Sequence, residues 1–409
     1  MRLRSLWDVL TVPGNPRVAA ISGCFYTPGA ALWYPLFPIY LLLRGVTSVE
    51  VGLVYAAGLG AGLLGTFVGG RLADKWGRKR MVILSGVLGA SATFALALPV
   101  SPYFLFAAGT WSLVSFGFGF GTGASSALLY ESSKDRKGAS MAAPYFLPSI
   151  VAIPMPFIGV LFSERFGIFW LFIFAAALSF ISVIIRGVWL TETHHPAAGA
   201  NGGTSEKKTQ GRGWRKLLSG PVGGIALLYA ILAFSGWAFA PFAPLYFVRV
   251  LGSNVSFFGI LASIEMVIAG ALGFASGQLV DRFGPLKTAG YSMAGEAFCV
   301  SGLILARNIL VAGVFYESWY AVDFLDQVAP GVFIGGETTP GNRASVMATY
   351  RFITQIPSVF AAGIGGILFT WNPYSLLMME VALSAAAALA VFAYMSRPSS
   401  SPRAAVPPG

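Results

Sequence analysis

Residues 70–80 read GRLADKWGRKR, and residues 277–287 read GQLVDRFGPLK. Gly70, Asp74, Lys75, Gly77 and Arg80 of the first stretch meet Gly277, Asp281, Arg282, Gly284 and Lys287 of the second at a constant offset of 207. Each stretch closes a long apolar segment with a polar turn. The duplication runs further. PLFPIY at 35–40 returns as PFAPLY at 241–246, and ESSKDRKGASMAA at 131–143 returns as ETTPGNRASVMAT at 337–349, both offset by 206. Gly45 and Gly52 return as Gly252 and Gly259. Matched stretches in one order at nearly constant spacing indicate two parallel halves of like design, an arrangement found in membrane transporters.

Composition sets the solvent. Of 409 residues, 56% are hydrophobic and 11% charged, with a mean hydropathy of +0.72; soluble domains carry about 25% charged residues. Apolar runs of about 20 residues recur, enough for a helix to cross a hydrocarbon core of about 30 Å. They are continuous, without the short alternating segments of a barrel. The fold class is therefore an all-α membrane protein. The runs predict twelve spans: 18–43, 49–70, 81–99, 102–129, 139–162, 167–190, 222–250, 256–280, 286–306, 309–336, 343–370 and 373–395. The hydrophilic stretch 191–218 divides them six to six, giving a first bundle (1–190), a flexible linker with a basic end (191–218), a second bundle (219–397) and a disordered tail (398–409).

A net charge of +11 raises the question of nucleic acid, and the placement of the charges answers it. With the N-terminus inside and spans alternating, only Arg44, Arg165, Arg249 and Arg307 of the 27 Lys and Arg fall outside, and Arg351 falls within a span. This positive-inside bias predicts a multi-pass protein of the plasma membrane with both termini cytoplasmic, lipid as its surroundings and no nucleic-acid partner. Cys24 and Cys299 lie in apolar spans and read as small hydrophobes. His194 and His195 stand without further ligands, so no metal is expected. GFGFGTG at 117–123 imitates a nucleotide loop but lies inside a span, where close helix packing accounts for the glycines. No ATP-binding loop, other cofactor site or enzymatic constellation is present in the sequence; a monomer is expected.

With these stretches in place, the chain resembles the major facilitator superfamily, whose signature between its second and third helices matches Gly70 through Arg80. The resemblance implies twelve helices in two six-helix bundles and transport by alternating access. It implies that Asp74 faces the start of helix eleven, near 343–348, and that Arg78 reaches an acid after helix four, Asp135 or Glu131. In the weaker second copy, Gly277, Asp281, Arg282 and Gly284, the charged pair would face helix five with Glu337 nearby. Such contacts would brace the inner side and break when it opens. From residue chemistry alone, Gly70 permits close helix approach and Gly77 a tight reversal. The Arg midway along helix four and the glycine-rich helix five of many proton-driven drug exporters are absent; Pro154, Pro156 and Gly159 stand in helix five instead.

Apart from Glu50 at the very start of the second span, the acids predicted inside spans belong to the second half: Glu265, Glu296, Glu317, Asp323, Asp326 and Glu380. Burying an intramembrane charge costs on the order of 3 kcal/mol, and such groups face cavities or partners. At helical spacing Tyr316, Tyr320, Asp323 and Gln327 form one stripe, with Trp319 and Asp326 beside it and Glu317 turned away. The resemblance places helices one, four, seven and ten around a central cavity, so this stripe would line a substrate and proton pathway; packing against neighbouring helices is the other reading. Arg351 lies at similar depth, and a pair with Asp323 or Asp326 reads equally as structural or as coupling. Glu265 is a second candidate for protonation. Glu296 and Glu380, on helices nine and twelve, read as interhelical hydrogen bonders. Tyr26, Trp33, Tyr34 and Trp111, with Ser115 and Thr122, would supply an uncharged wall. The expected function is secondary active transport of a small organic or drug-like solute, coupled to protons. A lipid scramblase and a transport-inactive ligand sensor are the alternatives on this scaffold.

Overall fold

A computed structural model describes residues 13–132, 137–193, 220–326, 329–338 and 343–396. The linker and the tail expected from sequence lie outside the described residues. Helix occupies each of the twelve segments expected to span. Among the described residues, seven helices are long and apolar enough to cross a membrane, or eight if the bent pair Pro144–Ala152 and Met155–Phe166 counts as one span. Segments are numbered here in the order of the expected spans.

The repeat is visible in the backbone. Segments two (Ser48–Trp76) and eight (Val255–Phe283) are 29-residue helices, and each begins at a side-chain cap, Thr47 bonding the Glu50 amide and Asn254 bonding the Phe257 amide. Glu50 returns a bond to the Thr47 amide at 2.8 Å, completing a capping box that satisfies otherwise orphaned amides. Both helices end at a glycine of positive φ: Gly77 at 93° and Gly284 at 82°. A Cβ would be strained there, and the reversal lets segments three (Arg78–Leu96) and nine (Pro285–Leu305) start at once. PLFPIY and PFAPLY both break their helix into a 3₁₀ turn, Tyr34–Leu36 and Ala240–Phe242, because proline removes a backbone donor.

Within the first half, the second segment packs on the fourth (Tyr103–Glu131), the third on the fourth and sixth (Ile168–Trp189), and the first (Asn15–Leu43) on the fifth and sixth. Glycine makes the closest of these contacts. A Cβ on Gly65 or Gly69 would strike the Phe116 or Phe120 carbonyl, and one on Gly119 the Gly62 carbonyl. The run 117–123 is thus a packing surface. Gly70 itself faces open space, as does Gly277, so the close approach expected at Gly70 falls one residue earlier, a rotation of about 100° around the helix.

In the second half, the seventh segment (Pro221–Val250) packs on the eleventh (Arg343–Trp371) and twelfth (Pro373–Met395), and the ninth on the tenth and twelfth. The halves meet where the second segment crosses the eleventh and the fifth crosses the eighth. Their tightest approaches lie toward the end opposite the Gly77 and Gly284 turns. There a Cβ on Gly52 would meet the Ala362 carbonyl, one on Gly366 would sit 2.8 Å from the Ser48 carbonyl, and one on Gly259 would sit 2.8 Å from Val160. Pro154 lies in the break that makes the 44° bend in the fifth segment. Beyond the bend, Gly159 packs on the Leu32 carbonyl and Pro156 on Gly259.

Candidate functional site

A cavity of about 700 Å³ lies between the halves. Its walls are unequal: Tyr34, Pro35, Pro38 and Tyr55 come from the first half, and the remaining lining comes from the second. The tenth segment begins with helix Ile309–Asp326 and presents Tyr316, Trp319, Tyr320 and Asp323 to the cavity. The spacing of three and four residues puts them on one face. The eighth segment contributes Glu265, whose Oε1 accepts a 2.7 Å hydrogen bond from the Tyr316 hydroxyl. Asp323 is exposed to the same space. Aromatic rings enclose these carboxylates. Phe239 meets Trp319 edge-on at 5.1 Å, and Tyr316 lies 5.7 Å from Trp319. Carboxylates set among ring faces offer charge and π-surface to an amphiphilic cation.

Several expected wall residues lie elsewhere. Trp33 and Trp111 are buried in an aromatic cluster, 5.9 Å apart, that also contains Phe37 and Tyr55. A Cβ on Gly58 would strike the Trp111 indole, so the glycine makes the space the ring fills. Tyr26 faces the Arg186 guanidinium at 5.7 Å, and Arg186 donates to Ser22 Oγ at 3.0 Å. Ser115 packs at Gly58 and Gly62, while Thr122 donates to the Phe118 carbonyl. Tyr34 is the one expected first-half residue on the lining. Tyr55, Trp237, Tyr350 and Gln355 line it without having been singled out by sequence; aromatic and amide residues in apolar helices were the available signal, and it does not report facing.

Glu317 points away from the stripe and is buried, with neither carboxylate oxygen hydrogen-bonded among the described residues. Glu296 lines the cavity and accepts a 3.2 Å bond from Ser384 of the twelfth segment. Arg351 is exposed, and no Asp323–Arg351 ion pair occurs among the described residues. The Asp326 side chain and Gln327 lie outside the described residues.

At the first turn, Arg78 pairs with Glu131. A third group, not anticipated, completes the arrangement. Glu192, just beyond the sixth segment, accepts the Arg78 and Lys79 amides at 3.0 Å each, and its carboxylate occupies the space a Cβ on Gly77 would need. It neutralises the positive N-terminus of the third helix. Its separation of over 100 residues from the turn hid it. Nearby, Asn15 joins Ser132 and Thr191, tying the ends of segments one, four and six together. At the second turn, Asp281, Arg282 and Glu337 are exposed and share no ion pair among the described residues; Arg282 lies over Phe283 at 5.2 Å. Among the described residues Asp281 and Arg282 make no ion pair with Glu337, and the tight contacts between the halves lie at the other end. Asp135 and the Asp74 side chain lie outside the described residues.

The family model described as Major Facilitator Superfamily matches residues 19–324. The multi-drug resistance efflux pump PmrA of Streptococcus pneumoniae (serotype 4, strain ATCC BAA-334 / TIGR4) is 27% identical over 66% of this chain and 68% of its own length. Multidrug resistance protein MdtG of Salmonella arizonae (strain ATCC BAA-731 / CDC346-86 / RSK2980) is 24% identical over 86% of this chain and 93% of its own. Among solved structures, the nucleoside transporter NupG superposes with a TM-score of 0.76 at 16% identity, covering 94% of this chain and 99% of that one. The D-xylose-proton symporter gives 0.70 at 13% identity, covering 92% and 96%. With the family match spanning most of the helical segments and the fold shared throughout, the chain belongs to the Major Facilitator Superfamily and is a membrane-embedded secondary transporter.

Proposed function

We propose that the protein exports small, amphiphilic organic cations by alternating access, driven by exchange for protons. The observation that carries this reading is the pairing of Glu265 with Tyr316 beside Asp323, on the aromatic wall of a cavity between the halves. The relatives named as multidrug pumps support the substrate class. All twelve segments cross the bilayer, with the basic turns and both termini on the cytoplasmic side as the positive-inside rule directs. Since the halves touch most closely at the opposite end, the conformation described is the one open to the cytoplasm. The six-helix bundles, 1–190 and 219–397, rock about the cavity. Gly70, Asp74, Gly77, Arg78, Glu131 and Asp135, with Gly277, Asp281, Arg282, Gly284 and Glu337, form the gate that closes on that side. A monomer suffices for this cycle.

A carboxylate facing the cavity binds either a proton or a cation, and this competition couples the two flows. The test is accumulation of tetraphenylphosphonium in vesicles with an imposed pH gradient. Glu265→Gln and Asp323→Asn are each expected to lower gradient-driven accumulation by about tenfold or more. Full accumulation by both variants would remove these acids from the coupling step. Lipid redistribution independent of the gradient would instead favour a scramblase, and cation binding without counterflow a sensor.

A further inference from the structure

Helix twelve stands behind the cavity wall and helix nine reaches it through Glu296, and each buries a carboxyl group. Glu380 is 2% exposed, Glu296 4% and Ser384 0%. Ser384 donates to Glu296 Oε2 at 3.2 Å, joining the two helices. Glu380 lies one helical turn before Ser384. The polar groups facing it are Ser235 of the seventh segment and Trp319 and Asp323 of the tenth. Its Oε2 has no hydrogen-bond partner among the described residues, and neither does the buried Trp319 Nε1. Among the described residues, no basic side chain faces Glu380. The eleventh segment, which also packs on the twelfth, carries Arg351, and that residue is exposed.

An ionised carboxylate here would be a buried charge without a counter-charge, which costs several kcal/mol. A structural hydrogen bonder at this place needs no carboxyl group: Gln or Ser would serve without that cost. The acids also continue into one another. Glu296 and Asp323 both line the cavity, and Glu380 lies behind Asp323 and Trp319.

We propose that Glu380 is a proton-binding site set behind the cavity wall, exchanging its proton with the cavity through Asp323. This rests on the proton-coupled reading above and extends it to helices nine and twelve. In the conformation described Glu380 carries the proton. When a cation occupies the cavity, the Glu380 O–H bond breaks and the proton passes to the Asp323 carboxylate and then to cavity water. The cation's charge compensates the carboxylate left behind. Glu296, held by Ser384, positions the neighbouring wall.

The experiment uses the full-length purified protein in lipid nanodiscs, with tetraphenylphosphonium as the probe. Infrared difference spectroscopy reads protonated carboxyl groups, and an indicator dye in weak buffer reads released protons. Without the probe, the parent protein should show a protonated-carboxyl band at neutral pH that E380Q lacks and E380D restores at a shifted frequency. On probe binding, that band should fall in step with proton release, and E380Q should release fewer protons per bound cation. A parent protein that fails to bind the probe overturns the substrate class proposed above, while the probe-free band still reports on Glu380. Absence of an E380Q-sensitive band overturns this assignment. So does a band that stays unchanged when the probe binds.

Discussion

The two turns at Gly77 and Gly284 share a backbone path and differ in everything that secures it. In the first half, Glu192 closes the amides of Arg78 and Lys79, and Arg78 reaches Glu131. In the second half, Pro285 stands at the first helical position and the helix start carries no side-chain cap. Proline there removes a donor that would otherwise need a partner, so the turn forms without a carboxylate. The same contrast extends into the bilayer. The first half packs glycines and aromatic rings, with Trp33, Trp111, Phe37 and Tyr55 in one cluster. The second half holds the intramembrane acids and most of the cavity wall. Duplication preserved the frame and left the chemistry free to diverge: one bundle is a packed, charge-anchored partner, the other supplies most of the cavity wall.

The strongest way to break this comparison is to exchange function between the halves. Glu265→Gln should cost about tenfold or more in gradient-driven transport, whereas Tyr26→Phe, beside Arg186 in the first half, should change it less than about twofold. Equal losses would show that the pathway is not one-sided. Trp111→Ala removes a buried ring from the first half's cluster and should destabilise by about 3–5 kcal/mol. A fall in thermal unfolding midpoint in detergent measures it, and an unchanged midpoint would deny the cluster its framing part.

At the contact between halves, Gly52→Ile places a branched side chain against the Ala362 carbonyl. The closed contact at that end should open, moving the population toward the opposite-facing state. Spin-label distances across that end would increase; no change would mean the halves have room to spare there. A smaller effect is expected at the turns themselves. Glu192→Ala should lower stability by about 1–2 kcal/mol through lost capping of the third helix. At the second turn, Pro285→Ala should stay within about 0.5 kcal/mol. Denaturant or thermal titration compares the pair, and equal values would show that the caps are interchangeable.

The sequence determined the membrane as solvent, the doubled design and the places where the chain must reverse. Continuous apolar runs leave helices as the solution, and glycine at 77 and 284 is legible because a positive φ excludes a Cβ without strain. The polar face of the tenth helix was legible for the same reason of regularity: Tyr316, Trp319, Tyr320 and Asp323 recur at helical spacing. Which apolar or aromatic side chain meets a neighbour and which meets a cavity was decided by tertiary structure. Lipid and protein interior are both apolar, so hydrophobicity along a membrane helix carries little information about its facing. Hence Trp33 and Trp111 pack together, Tyr55 reaches the cavity, and Glu192 finds the amides at Gly77 across more than 100 residues of chain. Glu380 and Glu296 gained their setting in the same way, when helices nine and twelve closed behind the tenth.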